Sequence, residues 1–142
     1  MTFAAERVRK DLESLLPTLP PWIRLCKREE LAVHFEMTPE SGPFAYQTSL
    51  LIIRVPVAYP FQPPKLQLEG PVREKHPCVD PKTGAVCMDV LRLGWRPSIG
   101  LDSLVYGMAL MLEDPLDMLE HDSAVLNEEA LRALRKCRLL NS

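Results

Sequence analysis

The chain carries almost no net charge and has no long apolar run. Its 142 residues include 17 basic and 19 acidic side chains, which leave a net charge of −2. The chain therefore has no overall basic field, and its charge does not predict binding to nucleic acid or to an anionic membrane. The longest apolar stretch, 49–53, is followed by Arg54 and Pro56 and is far shorter than the roughly 18 residues that span a bilayer. The N-terminus lacks the apolar segment of a secretory signal, so we expect a soluble protein of the cytoplasm, the nucleus or both.

Cysteine is scarce, with residues at positions 26, 78, 87 and 137 only. Secreted scaffolds that depend on disulfides are usually shorter and richer in cysteine, so we predict free thiols in a reducing compartment. A zinc site from Cys78, Cys87, His76 and His121 would need ligand spacings that match no familiar zinc template, and the chain has no Cys-x-x-Cys pair. We therefore predict no metal site and no cofactor.

The apolar pattern predicts an N-terminal helix followed by four strands. Thr2 is a suitable cap for a helix that runs to about Leu16, because the apolar residues after it recur at helical spacing. Strand patterns follow at 22–26, 31–37, 48–55 and 65–68, separated by turn residues. Short connections between successive strands favour an antiparallel meander.

The second half of the chain begins with a long irregular segment and ends in helices. The segment from Pro60 to Pro97 contains seven prolines, counting both ends, and long loops of this kind in compact domains are usually functional. A clear helical stripe then covers 101–113, and Asp114-Pro115 ends it. We expect an acidic loop over 116–122, a short helical turn near 123–126, and a last amphipathic helix from Asn127 or Glu128 to Leu139.

Cys87 is the candidate nucleophile of this segment. It follows the turn-rich residues 81–84 and precedes Met88 and Asp89, whereas a buried structural cysteine more often lies inside a long apolar run. Only a thiolate attacks, and burial in apolar surroundings raises a thiol's pKa, so this chemistry calls for an exposed sulfur. Loops on rigid scaffolds are where catalytic side chains concentrate.

Four motifs occur in a fixed order around Cys87. They are Tyr59-Pro60-Phe61-Gln62-Pro63-Pro64-Lys65, then His76-Pro77, then the stretch Gly84 to Leu91, and finally Trp95-x-Pro97. This order, with a tryptophan eight residues after the cysteine, resembles the ubiquitin-conjugating enzymes over nearly the whole chain. The resemblance implies one α+β domain of the UBC fold over 1–142. Such a domain has an N-terminal helix, a four-stranded antiparallel meander sheet, an irregular active-site loop, a central helix and C-terminal helical segments.

The resemblance implies that Cys87 accepts ubiquitin or a ubiquitin-like modifier as a thioester in an ATP-dependent cascade. The modifier arrives from an activating enzyme and passes to a substrate lysine or to a ligase. Transthiolation needs positioning more than strong activation. Aminolysis is harder, because an amine of pKa near 10.4 must lose a proton, and a nearby carboxylate eases that loss. Family members carry such an acid after the long helix, where Asp117 is the best assignment. Glu120 and Asp122 are alternatives, as is a solvated acidic loop without this role.

Cys78 departs from the family, because it occupies the place of the motif's asparagine. That asparagine is credited with stabilising the oxyanion, and a thiol is only a weak donor. Losing one such donor typically costs about 3–4 kcal/mol. We expect normal loading of Cys87 and a discharge to lysine that depends on another donor or on a ligase. Alternatively, Cys78 is simply a small buried residue, and the two cysteines could also form a redox pair if their Cα atoms lie within about 7 Å.

The resemblance also assigns partner surfaces. Family ligases contact the loop that holds Phe61 and the loop that holds Pro97 and Ser98, and an exposed aromatic flanked by prolines is a rigid interface anchor. Arg7 and Lys10 on the first helix resemble the basic residues that meet the activating enzyme. His76, Pro77 and Trp95 are interpreted as structural, with the histidine bonded to backbone in the loop.

Three segments, 28–31, 105–108 and 119–126, are more similar to neddylation-type conjugating enzymes than to the general ubiquitin ones. The residues Lys82-Thr83-Gly84 are also similar to the peroxisomal type, so the modifier stays open. A rival from another class is a noncatalytic variant of the fold that binds a modifier or ligase, although such variants characteristically lack the cysteine. A thiol-dependent hydrolase would need a histidine base, and nothing in the sequence places His34, His76 or His121 beside Cys87.

Overall fold

The computed structural model describes residues 2–92, 94–122 and 124–140, with the side chains of residues 89, 92, 118 and 120–122 outside that description. Helix α1 spans Phe3–Leu15 and continues into a 3-10 turn at Leu16–Thr18. The predicted cap is confirmed, because the Ala5 amide donates to the Thr2 hydroxyl at 3.1 Å. Within the described residues, no helix has the length and apolar character needed to cross a membrane.

The four predicted strands are present as an antiparallel meander. They are β1 (Ile23–Arg28), β2 (Ala32–Met37), β3 (Ser49–Arg54) and β4 (Lys65–Glu69), which lie side by side in chain order. The alternation of apolar residues sets which face is buried, as expected of period-two side chains. The register of β1 shifts between Leu25 and Lys27, which is a bulge near the outer edge of the sheet.

One face of the sheet packs on two helices. Helix α3 spans Leu101–Glu113 and contacts α1, and both contribute their apolar stripes to the same core as the strands. Phe35 of β2, Leu51 of β3 and Leu104 of α3 are fully buried in this core. Each such side chain contributes roughly 1.5–3 kcal/mol by leaving water. The core therefore holds the sheet edge and α3 as a fixed frame for the segment between them.

The prediction of an acidic loop over 116–122 is wrong, because helix α4 spans Pro115–Asp122. The carboxylate of Asp114 accepts a hydrogen bond from the Asp117 amide at 3.3 Å, so Asp114 caps the new helix. Proline suits the first helical position, since its fixed φ matches and its missing N–H would be unbonded there. The Asp114-Pro115 pair therefore ends α3 and starts α4.

Two further helices complete the chain. Helix α2, Asp89–Arg92, is a single turn after Cys87 that the sequence pattern did not predict. Helix α5 spans Glu128–Leu140, close to prediction, and Asn127 caps it by accepting from the Ala130 amide at 3.0 Å. The prediction of a helical turn near 123–126 is wrong for residues 124–126, which are not helical. Residue 123 lies outside the described residues.

Candidate active site

Cys87 lies at the end of a short hairpin that extends the sheet. Val79 and Val86 pair as an antiparallel bridge, and Gln67 of β4 pairs with Ala85. The second arm of this hairpin is bonded on its other side as well, since the Val86 amide donates to the Leu66 carbonyl at 3.1 Å. The backbone before the thiol is therefore bonded on both sides, which holds Cys87 at a defined position.

The turn of this hairpin, 80–84, is closed by its own side chain and backbone. The Asp80 carboxylate accepts from the Lys82 amide at 2.9 Å, and that hydrogen bond lowers the pKa of the Asp80 carboxyl. Gly84 has φ +79°, and a Cβ there would lie 2.7 Å from the Leu68 carbonyl oxygen. Only glycine fits this close approach without displacing the edge strand.

Arg73 ties the turn to the end of β4. Its Nη1 atom lies 2.8 Å from both carboxylate oxygens of Glu69, and its Nε donates to the Pro81 carbonyl at 3.1 Å. A further bond runs from Nη2 to the Lys82 carbonyl. One guanidinium thus connects the sheet edge with two carbonyls of the loop that leads to Cys87.

Cys87 and Cys78 are neighbours across the hairpin. The Cys87 amide donates to the Cys78 carbonyl at 2.9 Å. Cys87 is 7% exposed and Cys78 is fully buried, so Cys87 is less exposed than expected of a working thiol. The interpretation of Cys78 as a small buried residue agrees with this position.

His76 fixes this pair to helix α3, as its structural interpretation requires. Its Nδ1 accepts from the Cys78 amide at 3.0 Å, which leaves Nε2 as the protonated nitrogen that donates to the Met111 carbonyl at 2.8 Å. Burial lowers the pKa of His76 to about 4, so the ring is neutral at ordinary pH. Both ring nitrogens are engaged with backbone, so the ring positions the loop and is not available as a base for Cys87.

A second network joins α1 to the loops on either side of the hairpin. The hydroxyl of Tyr59 donates to Asp11 at 2.6 Å, and burial together with that carboxylate raises the pKa of the tyrosine. Arg7 donates to the Pro97 carbonyl at 2.7 Å and to the Ile99 carbonyl at 3.2 Å. These three side chains therefore bind the first helix to the loops at 59–61 and 97–99.

Residues 7–138 of the chain match the family model described as "Ubiquitin-conjugating enzyme". The chain belongs to the ubiquitin-conjugating enzyme family. Its predicted fold is confirmed by the solved structure of S. cerevisiae Ubc12, which has a TM-score of 0.76 and 26% identity and covers 95% of this chain and 72% of that one.

Two relatives indicate where in the family the chain lies. "NEDD8-conjugating enzyme Ubc12" of Dictyostelium discoideum is 32% identical over 123 residues, which are 84% of this chain and 52% of that protein. "Ubiquitin-conjugating enzyme E2 T" of Mus musculus is 27% identical over 118 residues, which are 78% of this chain and 56% of that protein. The chain thus spans about half the length of both relatives, and the predicted resemblance to the neddylation type is confirmed.

The ligase-contact residues predicted from the family resemblance lie on two loops that both contact helix α1. Phe61 is 65% exposed and stacks on Phe3, with ring centroids 5.9 Å apart. The indole of Trp95 donates to the Pro60 carbonyl at 2.7 Å, while Arg7 holds the second loop, in which Pro97 and Ser98 are exposed. We call Phe3, Phe61, Pro97 and Ser98 the aromatic corner.

Sequence reasoning missed two members of these arrangements. Phe3 lies off the buried stripe of α1, and an apolar residue off the stripe is a signal that could have identified it. Arg73 gave no sequence signal, because its role depends on carbonyls eight and nine residues away that only the turn brings near.

The remaining predicted site residues stay predictions. Asp117 is exposed in the first turn of α4, and the side chains of its alternatives Glu120 and Asp122 lie outside the described residues. Lys10 is exposed on α1, whereas the Arg7 guanidinium is engaged within the chain. Among the described residues, no cluster of three or more His, Cys, Asp or Glu side chains could hold a metal ion.

Proposed function

We propose that this chain carries ubiquitin or a ubiquitin-like modifier as a thioester on Cys87 and passes it to a substrate lysine or to a ligase. The observation that supports this most is the position of Cys87 at the end of a hairpin bonded on both sides, in a chain of the conjugating-enzyme family. Positioning is the main requirement of transthiolation.

Loading is the exchange of one thioester for another. The Cys87 thiolate attacks the carbonyl carbon of the modifier's thioester on the activating enzyme, and the second thiolate leaves. One thiolate attacks and another leaves, so the exchange needs no strong base. This fits a site in which both nitrogens of His76 are engaged with backbone.

Discharge to lysine is the more demanding step. The amine must lose a proton and the tetrahedral oxyanion must be stabilised. We assign Asp117 as the acid that eases the proton loss. The Cys78 thiol is a weak donor for the oxyanion, so discharge depends on another donor or on the ligase.

We propose NEDD8 as the first modifier to test and ubiquitin as the second. The Dictyostelium relative is named for NEDD8 and the mouse relative for ubiquitin. The activating enzyme would meet Lys10 on α1, and the ligase would bind the aromatic corner. We propose the cytoplasm or the nucleus as the location, because this chemistry needs reduced thiols.

The deciding experiment is a loading assay with ATP, each activating enzyme and each modifier. We expect one modifier to give an adduct that a thiol reductant removes. The adduct should be absent in Cys87→Ala and present in the matched control Cys137→Ala, which removes an exposed thiol from α5.

The rival is a noncatalytic module that binds a modifier or ligase without a thioester. It would give no adduct with any modifier, although the purified chain would still bind one of these partners. An adduct that persists in Cys87→Ala would equally contradict the assignment of the thiol.

A further inference from the structure

Cys78 and Cys87 lie directly opposite each other on the two arms of the hairpin. The bridge between Val79 and Val86 sets the register, and one step outward along both arms places Cys78 against Cys87. The Cys87 amide donates to the Cys78 carbonyl at 2.9 Å, which joins the two arms at this position, while the Cys78 amide donates to His76.

This register gives the two residues the separation that a disulfide needs. Directly opposite residues of an antiparallel pair have Cα atoms about 4.5–5.5 Å apart and side chains on the same face. Disulfides form across Cα separations of about 4.4–6.8 Å. The backbone therefore brings the two thiols within bonding reach without rearranging the hairpin.

We propose that Cys78 and Cys87 are a reversible oxidation site, at which a hydroperoxide joins the two thiols as a disulfide. The consequence for activity rests on the proposed function, because it requires that Cys87 carries the modifier. The chemical site itself does not depend on that function.

The reaction with hydrogen peroxide balances in two steps. The Cys87 thiolate attacks one peroxide oxygen, the O–O bond breaks, and the leaving hydroxide takes a proton to become water, which leaves a sulfenic acid on Cys87. The Cys78 sulfur then attacks the Cys87 sulfur, the S–O bond breaks, and the hydroxide leaves as water with the Cys78 proton. Two thiols are oxidised and one peroxide is reduced to two waters.

Exposure assigns the order of the two thiols. Cys87 is 7% exposed, whereas Cys78 is fully buried. A small peroxide therefore meets Cys87 first, and the Cys78 thiol then resolves the sulfenic acid. A thiol in this arrangement is protected from further, irreversible oxidation.

The test uses a chain in which the two exposed cysteines are removed, Cys26→Ser with Cys137→Ser. After hydrogen peroxide, intact mass should fall by two hydrogen atoms. Trypsin cleaves after Lys75, Lys82 and Arg92, so peptides 76–82 and 83–92 should be recovered joined to each other until a thiol reductant is added. This measurement needs no activating enzyme.

The consequence is tested on the same protein by loading. We expect peroxide to abolish the adduct and reductant to restore it. With Cys78→Ser in addition, peroxide should abolish loading irreversibly, because Cys87 passes to sulfinic acid. The second variant Cys78→Ala gives the same comparison if serine disturbs the buried position.

Three outcomes would overturn the proposal. One is a sulfinic acid on Cys87 while Cys78 still reacts with an alkylating reagent after unfolding. Another is a disulfide between two chains on a non-reducing gel. The third is recovery of loading by reductant in Cys78→Ser as complete as in the parent. If the peptides join but no modifier ever loads, the oxidation site stands and the proposed function fails.

Discussion

The Nε2 atom of His76 lies 2.8 Å from the carbonyl oxygen of Met111, and this bond fastens the loop before Cys87 to helix α3. The ring is buried and also packs against Phe44, with ring centroids 5.5 Å apart. A charged imidazole would have to donate from both nitrogens. Nδ1 already accepts from the Cys78 amide, so protonation breaks that contact.

This arrangement predicts a loss of stability in mild acid. Burial lowers the pKa of His76 from its ordinary 6.5 to about 4. The unfolded chain therefore takes up the proton first as pH falls. The free energy of unfolding should be constant above about pH 7 and should decline by up to about 3 kcal/mol between pH 6.5 and pH 4.

The measurement is urea unfolding at a series of pH values, with His76→Gln as the matched variant. Glutamine does not titrate, so the decline between pH 6.5 and pH 4 should be smaller in the variant. Equal declines in the two proteins would show that other groups cause the acid sensitivity.

Restoring the family's asparagine should accelerate discharge to lysine. In Cys78→Asn, we expect single-turnover transfer from Cys87 to free lysine to rise by up to about 10²–10³-fold, since one oxyanion donor is regained. The rate of loading should not change. The control Cys78→Ala provides no donor and should transfer at the parent rate. Absence of any gain in the asparagine variant, with loading intact, would contradict the role assigned to this position.

Arg73 should contribute more to stability than a typical surface ion pair. We expect Arg73→Gln to lower the free energy of unfolding by about 1–3 kcal/mol, because charge-assisted bonds to Glu69 and to two loop carbonyls are lost. Loading of Cys87 should also slow, since the turn is released. The matched control is Arg24→Gln, which breaks an exposed pair with Glu36 and should cost less than about 1 kcal/mol. Equal losses of stability in the two variants would contradict the role given to the bonds of Arg73.

The aromatic corner should bind the ligase. We expect Phe61→Ala to weaken ligase binding about ten-fold, as truncation of an interface anchor does. Stability should change by less than about 0.5 kcal/mol, because the side chain is 65% exposed. The control is Tyr46→Ala, an exposed aromatic in the connection between β2 and β3, at the opposite end of the sheet. Calorimetric titration with the cognate ligase domain measures the affinity of each variant. Equal losses of affinity in Phe61→Ala and Tyr46→Ala would contradict a ligase contact at the aromatic corner.

The local signals in the sequence were sufficient for most of the fold. Thr2 followed by a helical stripe predicted α1, and alternating apolar residues predicted the four strands, because side-chain periodicity is a local property of each element. The signal failed at Asp114-Pro115, where the same dipeptide ends one helix and caps the next. The type of element after it depended on packing, which no short window of sequence contains.

The family resemblance located the candidate site but not its geometry. The motifs around Cys87 identify it as the candidate nucleophile. Cys78 is identified because it occupies the position of the motif's asparagine. Their opposition across a hairpin was not visible, since it follows from the bonds that Val79, Val86 and β4 make with one another.

By itself, the sequence determined α1, the four strands, α3 and α5, the family and the candidate thiol, because these follow from periodicity and motif order along the chain. Only the tertiary structure decided what surrounds that thiol. In the folded chain Cys87 is largely buried, and its amide donates to the Cys78 carbonyl. The fold also engages both nitrogens of His76 and turns Arg7 toward the loop at 97–99. The bonds from His76 to Met111 and from Arg7 to Pro97 join residues far apart in the chain. Burial and hydrogen-bond geometry of this kind exist only once the chain has packed.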